Sequence, residues 1–171
     1  MAGEKLRNLI FLSAFLAALT LPALVGALPQ SRDKAILTIS GAIEVKNSEE
    51  GFVFDRPLLE SLGMHTLRTS TNWTTGVRTF EGVLVRDLLR RVGAKGTSAI
   101  ATALNDYSAE IPLSDFDKFD VLLALRMDGR DLLRRDKGPI WIVYPRDHSP
   151  ELQDARYDHR WVWQLDSLKI R

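Results

Sequence analysis

The sequence predicts an α+β fold: a mostly β, mixed sheet with a few short helices. Short runs of alternating or β-branched apolar residues outnumber helical repeats. The two kinds of run do not alternate regularly, as a parallel α/β sheet would require. Turn signals such as Asn105-Asp106, Asp128-Gly129 and Gly138-Pro139 punctuate the strand runs.

Ala35 to Ser40 carries β-branched residues in weak alternation and stops at Gly41, a first strand. Asp55-Arg56-Pro57 supplies a helix N-cap with Pro in the first turn. Leu58, Leu59 and Leu62 share a face of that short helix, and Gly63 suits its end. His65 to Thr71 reads as a strand. Leu84, Leu88, Leu89 and Val92 fall at helical spacing, and Gly93 is placed to stop them. Ile100, Thr102 and Leu104 alternate before Asn105-Asp106, and Tyr107, Ala109 and Ile111 alternate after it. That pattern predicts a hairpin with a two-residue turn. Val121 to Met127 is a continuous apolar strand closed by an Asp128-Gly129 turn. Ile140 to Tyr144 follows Gly138-Pro139, and Trp161, Trp163 and Leu165 alternate before Leu168 and Ile170 close the chain. Leu88, Leu123, Ile142, Trp161 and Trp163 are the expected core. Residues 145–158 form a polar connection, long enough to be a functional loop.

The first residues read as an export signal. Lys5 and Arg7 precede an apolar run from Leu9 to Leu21, and Val25-Gly26-Ala27 offers small residues for cleavage. The run is shorter than the roughly 20 residues that span a bilayer as a helix. The expectation is a signal peptide over residues 1–27 and one domain over 28–171, secreted or periplasmic and free of the membrane after cleavage. The chain holds 23 Lys and Arg against 22 Asp and Glu, and setting aside Glu4, Lys5 and Arg7 leaves a formally neutral remainder. Neutrality argues against nucleic acid as a partner, because phosphate binding needs a basic face. There is no cysteine, which excludes thiol catalysis, iron–sulfur clusters, thiolate-held metals and a lipid-anchored cysteine. Stability then comes from packing, to which four Trp and seven Phe contribute.

No standard catalytic motif is present. The sequence lacks a Gly-x-Ser-x-Gly elbow, a phosphate loop and a dinucleotide fingerprint. His65, His148 and His159 have no metal-ligand spacing, so no metal site is expected. Asn72-Trp73-Thr74 is a glycosylation sequon. The stretch "HTLRTSTNWTTGVRT" (65–79) interleaves seven hydroxyls with Arg68, Asn72 and Arg78. Such a set can hold a polar or anionic ligand through directed hydrogen bonds. It is also what a strand with a solvent-facing threonine row looks like.

The order of the pieces carries a resemblance. "FEGVLVRDLLRRVGA" (80–94), "ALNDYSAEIPLSDF" (103–116), "LALRMDGRDL" (123–132), "GPIWIVYP" (138–145) and "RWVWQLDSLKI" (160–170) follow one another as in sulfite-oxidase-like molybdopterin-binding domains. The resemblance covers roughly residues 35–171 and implies that family's fold. It also implies that cofactor contacts fall on the 66–79 segment and the turn after it in the hairpin. The candidate binding residues are therefore Arg68, Ser70, Thr71, Asn72, Asn105, Asp106 and Tyr107, converging on one polar cleft. Family enzymes hold molybdenum by a Cys thiolate before the Gly-Val-x-Leu helix; counting back from Gly82 puts that position near Ser70. Where they usually have a basic residue soon after Gly-Pro, this chain has Trp141. A hydroxyl matches a thiolate poorly in softness and pKa.

The resemblance thus implies an inherited fold without the family's metal chemistry. The expected function is a non-catalytic periplasmic binding or sensory-accessory module. Its partner would be a small polar or anionic ligand, or a periplasmic protein. No cofactor is expected, although anionic molybdopterin could rest against Arg68, Arg78 and the hydroxyls. The alternatives are a molybdopterin-dependent oxidoreductase with a metal ligand other than Cys, and a purely structural interaction domain.

Overall fold

The computed structural model describes residues 34–171. The expected signal segment and its cleavage point lie outside them. Among the described residues, ten strands form two five-stranded sheets. The first contains β1 (Leu37–Gly41), β2 (Phe52–Phe54), β5 (Ser98–Ala103), β6 (Ser108–Pro112) and β10 (Leu165–Ile170), in the order β2-β1-β10-β5-β6. Its β1–β10 pair is parallel and its other pairs are antiparallel, so this sheet is mixed. The second is antiparallel and contains β3 (His65–Ser70), β4 (Val77–Leu84), β7 (Leu122–Met127), β8 (Arg130–Asp131) and β9 (Trp141–Val143). The described residues also form three short helices: α1 (Arg56–Glu60), α2 (Val85–Val92) and α3 (Leu113–Lys118).

The local signals act where the sequence predicts. Asp55 caps α1 by accepting from the Leu58 amide at 2.8 Å. Gly93 ends α2 in the left-handed region at φ 61°, and the Ala94 amide then reaches the Leu89 carbonyl at 3.0 Å. Asp128 and Gly129 take φ 50° and 74°, the pair of positive values that a two-residue hairpin turn between β7 and β8 requires. A Cβ on Gly138 would collide with the Leu132 carbonyl, so glycine there lets two stretches of backbone pass close together. The Gly138–Pro139 bond is cis.

Several expectations change. The hairpin loop spans four residues between β5 and β6 because Leu104 turns its amide to the Gln164 carbonyl at 2.9 Å and leaves the ladder. The buried face of β5 is the small set Ala99, Ala101 and Ala103, while Ile100 and Thr102 face outward. The closing strand begins at Leu165, not Trp161. Trp161 and Trp163 stand before it, Trp161 at φ −84° and ψ 66° closing the last 3₁₀ turn, and Trp163 bridges to Trp141. Leu88, Leu123, Ile142 and Trp161 are buried in the core as expected, but Trp163 is half-buried. The polar connection after Tyr144 is folded into 3₁₀ turns at Arg146–His148, Pro150–Gln153 and Ala155–Arg160.

Candidate functional site

All four tryptophans meet. Trp73 packs on Trp141, Trp161 and Trp163 with ring centroids 6.4, 5.4 and 5.7 Å apart, and Trp141 touches Trp161 at 6.2 Å. Trp141 and Trp161 fill the core beneath, and the half-buried Trp73 and Trp163 extend the cluster to the surface. There they open a cleft of about 350 Å³, walled by Trp73, Trp161 and Trp163, by Asn105 and Tyr107 from the hairpin loop, and by Asp158.

Local hydrogen bonds fix these walls. The Thr71 hydroxyl accepts the Trp73 amide at 3.0 Å and shares a hydrogen with the Thr74 hydroxyl at 2.9 Å, a short turn that presents the indole. The Asn72 side-chain amide donates to Asp158 at 2.9 Å. The Tyr107 hydroxyl donates to the His159 carbonyl at 2.9 Å, tying the hairpin loop to the segment before Trp161. The Asn105 side chain accepts the Tyr107 amide at 3.2 Å, which sets the shape of that loop.

Of the expected binding residues, Asn105 and Tyr107 line the cleft, while Thr71 and Asn72 stand behind its wall, bonded to Trp73 and Asp158. Asp106 sits beside them at the exposed tip of the loop, at φ 65°. Arg68 and Ser70 do not line it. Arg68 is exposed on β3, paired across the sheet with Thr79. Ser70 faces the 3₁₀ turn at Arg146–His148, and its hydroxyl donates to Asp147 at 2.5 Å. Arg78 is engaged elsewhere, donating to Asp128 at 3.0 Å. The backbone amide of Thr79, with Arg78, holds the Asp128 carboxyl below the usual carboxylate range. The cleft is thus aromatic where the sequence predicts a polar one, because the hydroxyl row faces away and the Trp face does not.

Trp73 and Asp158 escape the sequence reading, and Trp161 and Trp163 enter it only as core. The available signal was the alternation of Trp161 with Trp163, which puts two indoles on one side of an extended segment. His65 and His148 line a separate recess of about 160 Å³. Among the described residues no group of His, Asp and Glu could hold a metal ion.

The oxidoreductase molybdopterin binding domain model matches residues 59–148. This chain belongs to that family. Among solved structures, the sulfane dehydrogenase SoxCD from Paracoccus pantotrophus is similar in fold, with a TM-score of 0.60 at 22% identity. The match covers 85% of this chain and 40% of that one, so this chain spans less than half of its relative. No curated protein matches the sequence.

The family implies a pterin-held molybdenum, and the residues here do not fit it. Near the position where the family's thiolate would stand, the Ser70 hydroxyl is committed to Asp147 and the Thr69 hydroxyl is buried, donating to the Ser70 carbonyl at 3.2 Å. Neither oxygen has a thiolate's softness. Trp141, in place of the basic residue after Gly-Pro, is fully buried in the tryptophan cluster. No Lys or Arg lines the cleft to meet a phosphate.

Proposed function

We propose that this chain is a non-catalytic binding module on the molybdopterin-binding fold, exported through a cleaved signal and acting in the periplasm. The ligand site is the tryptophan-lined cleft. One observation supports this reading: the amide and hydroxyl of Ser70, near which the resemblance puts the metal ligand, are both committed to Asp147, while a separate cleft of about 350 Å³ is open. A purely structural domain would gain stability by filling that space, since a void forfeits packing contacts. An open aromatic cleft with Asn105 and Asp158 on its wall is the usual form of a small-molecule site, apolar with a few placed polar groups.

Metal and pterin analysis tests the non-catalytic part. Protein from a molybdenum-replete host should carry far less than one molybdenum per chain, and should neither oxidise sulfite nor reduce sulfoxides. Near-stoichiometric molybdenum with an extractable pterin would overturn the reading in favour of an oxidoreductase.

A further inference from the structure

The charge of the cleft is one-sided. Asp158 is the carboxylate on its wall, neither Lys nor Arg lines it, and His159 is the one imidazole beside it. That carboxylate accepts from the neutral Asn72 amide, and among the described residues it has no ion-pair partner. Three indoles and a phenol share the cleft wall with it. Trp73 meets Trp161 at 51° and Trp163 at 68°, so the rings make angled walls instead of a stack. The electron-rich face of an indole attracts a cation. The protein uses the same chemistry beside the cleft, where Lys137 places its ammonium 4.4 Å from the Trp163 centroid and 5.0 Å from that of Trp141. Lys137 itself is not on the cleft wall.

We propose that the cleft binds a small organic cation of the alkylated ammonium class, with Asp158 as the countercharge and Trp73, Trp161 and Trp163 as the walls. This rests on the cleft being the ligand site, as above. An anion would find neither Lys nor Arg on the wall, only the His159 imidazole next to the Asp158 carboxylate. A primary ammonium has three hydrogens to satisfy, and beyond Asp158 and Asn105 the indole walls accept none of them. An alkylated ammonium needs few, is weakly hydrated, and gains from every ring face it touches.

The test is a titration of the mature chain with choline, followed by tryptophan fluorescence and calorimetry. The control is the uncharged alcohol in which a tert-butyl group replaces the trimethylammonium. Choline should bind about tenfold tighter or more than the alcohol. Asp158→Asn keeps an acceptor for Asn72 and should remove about tenfold of the choline affinity while leaving the alcohol unchanged. Trp163→Leu should weaken both ligands; if that variant does not fold, the isosteric Asp158→Asn decides alone. Equal binding of choline and alcohol, or an unchanged choline affinity in Asp158→Asn, overturns the cation assignment and leaves the cleft a ligand site. No choline binding also overturns it. Stoichiometric molybdenum would strike the underlying reading separately, without reference to any cation.

Discussion

Ser70 gives both its backbone amide and its hydroxyl to one carboxylate, that of Asp147, at 2.6 and 2.5 Å. The Asp147 amide returns a bond to the Thr69 hydroxyl at 3.2 Å, and an Arg146 guanidinium nitrogen reaches the Ser70 hydroxyl at 3.4 Å. Two residues near the expected metal-ligand position therefore hold a 3₁₀ turn against the end of β3. Ser70 was singled out by its place relative to Gly82, and the geometry gives it a structural task.

This clamp makes the acid stability of the domain testable. The Ser70 hydroxyl, and then its amide, hold the Asp147 carboxyl below the ordinary carboxylate range. A carboxyl depressed in the folded state adds stability above its unfolded pKa and loses it as pH falls through the folded one. Melting temperature should therefore drop on acidification through and below the ordinary Asp value of about 3.9. Asp147→Asn should lower the neutral-pH melting temperature and flatten that acid limb. An unchanged acid limb in Asp147→Asn would show that the clamp does not contribute.

Leu88 on α2 is fully buried. Leu88→Ala should cost about 2–5 kcal/mol, the transfer term plus the cavity it leaves. Leu88→Asp adds a buried, unpaired carboxylate and should unfold the domain or destabilise it strongly. Circular dichroism melts check both, and a wild-type melting temperature for Leu88→Asp would mean that α2 does not pack as described.

What could be read in advance follows the range of the interactions. Helix α2 was legible because Leu88, Leu89 and Val92 repeat at helical spacing and Gly93 terminates them within a few residues. The β7–β8 hairpin was legible because Asp128-Gly129 encodes its own turn. Strand β2 was not, because Phe52–Phe54 is too short to show a period. Strand β4 was hidden because Val77–Leu84 breaks its alternation at Gly82, where the pairing with β7 shifts register. The cleft was half legible. Asn72, Asn105 and Tyr107 lie in segments whose chemistry stood out, but Trp73 meets Trp161 and Trp163 only after the two sheets close together. Nothing local marks such a contact, and Asp158 lay in what read as a connecting loop.

Export predicts a processed N-terminus. The apolar run from Leu9 to Leu21 is followed by Val25-Gly26-Ala27, the small residues that a signal peptidase needs. N-terminal sequencing of protein from its native host should begin at Leu28, or within a residue or two. Protein that still starts at Met1 and sediments with membranes would end the export reading.

The cleft wall depends on a buried ion pair, and this gives the last prediction. Asp115 on α3 is buried, accepting from the Tyr144 hydroxyl at 2.8 Å and from Arg160 at 2.5 Å. Burial, and then the Asp115 charge, push the Tyr144 hydroxyl up, so it remains a donor at neutral pH. Arg160 lies between Asp158 and Trp161, both on the cleft wall, and stacks its guanidinium 4.7 Å from the Tyr157 ring centroid. Asp115→Ala leaves the Arg160 charge and the Tyr144 hydroxyl without their acceptor. It should cost about 3 kcal/mol, near the lower end for breaking a buried pair because Arg160 keeps 19% of its side chain exposed. Tyr144→Phe deletes one neutral donor and should cost only about 1 kcal/mol. Urea denaturation measures both, and near-ultraviolet circular dichroism reports the tryptophan cluster. Asp115→Ala should also blunt the tryptophan signal in the folded state, since Trp161 loses its anchored neighbour. Equal costs for the two variants, with an unaltered tryptophan signal, would mean that Arg160 does not hold the wall of the cleft.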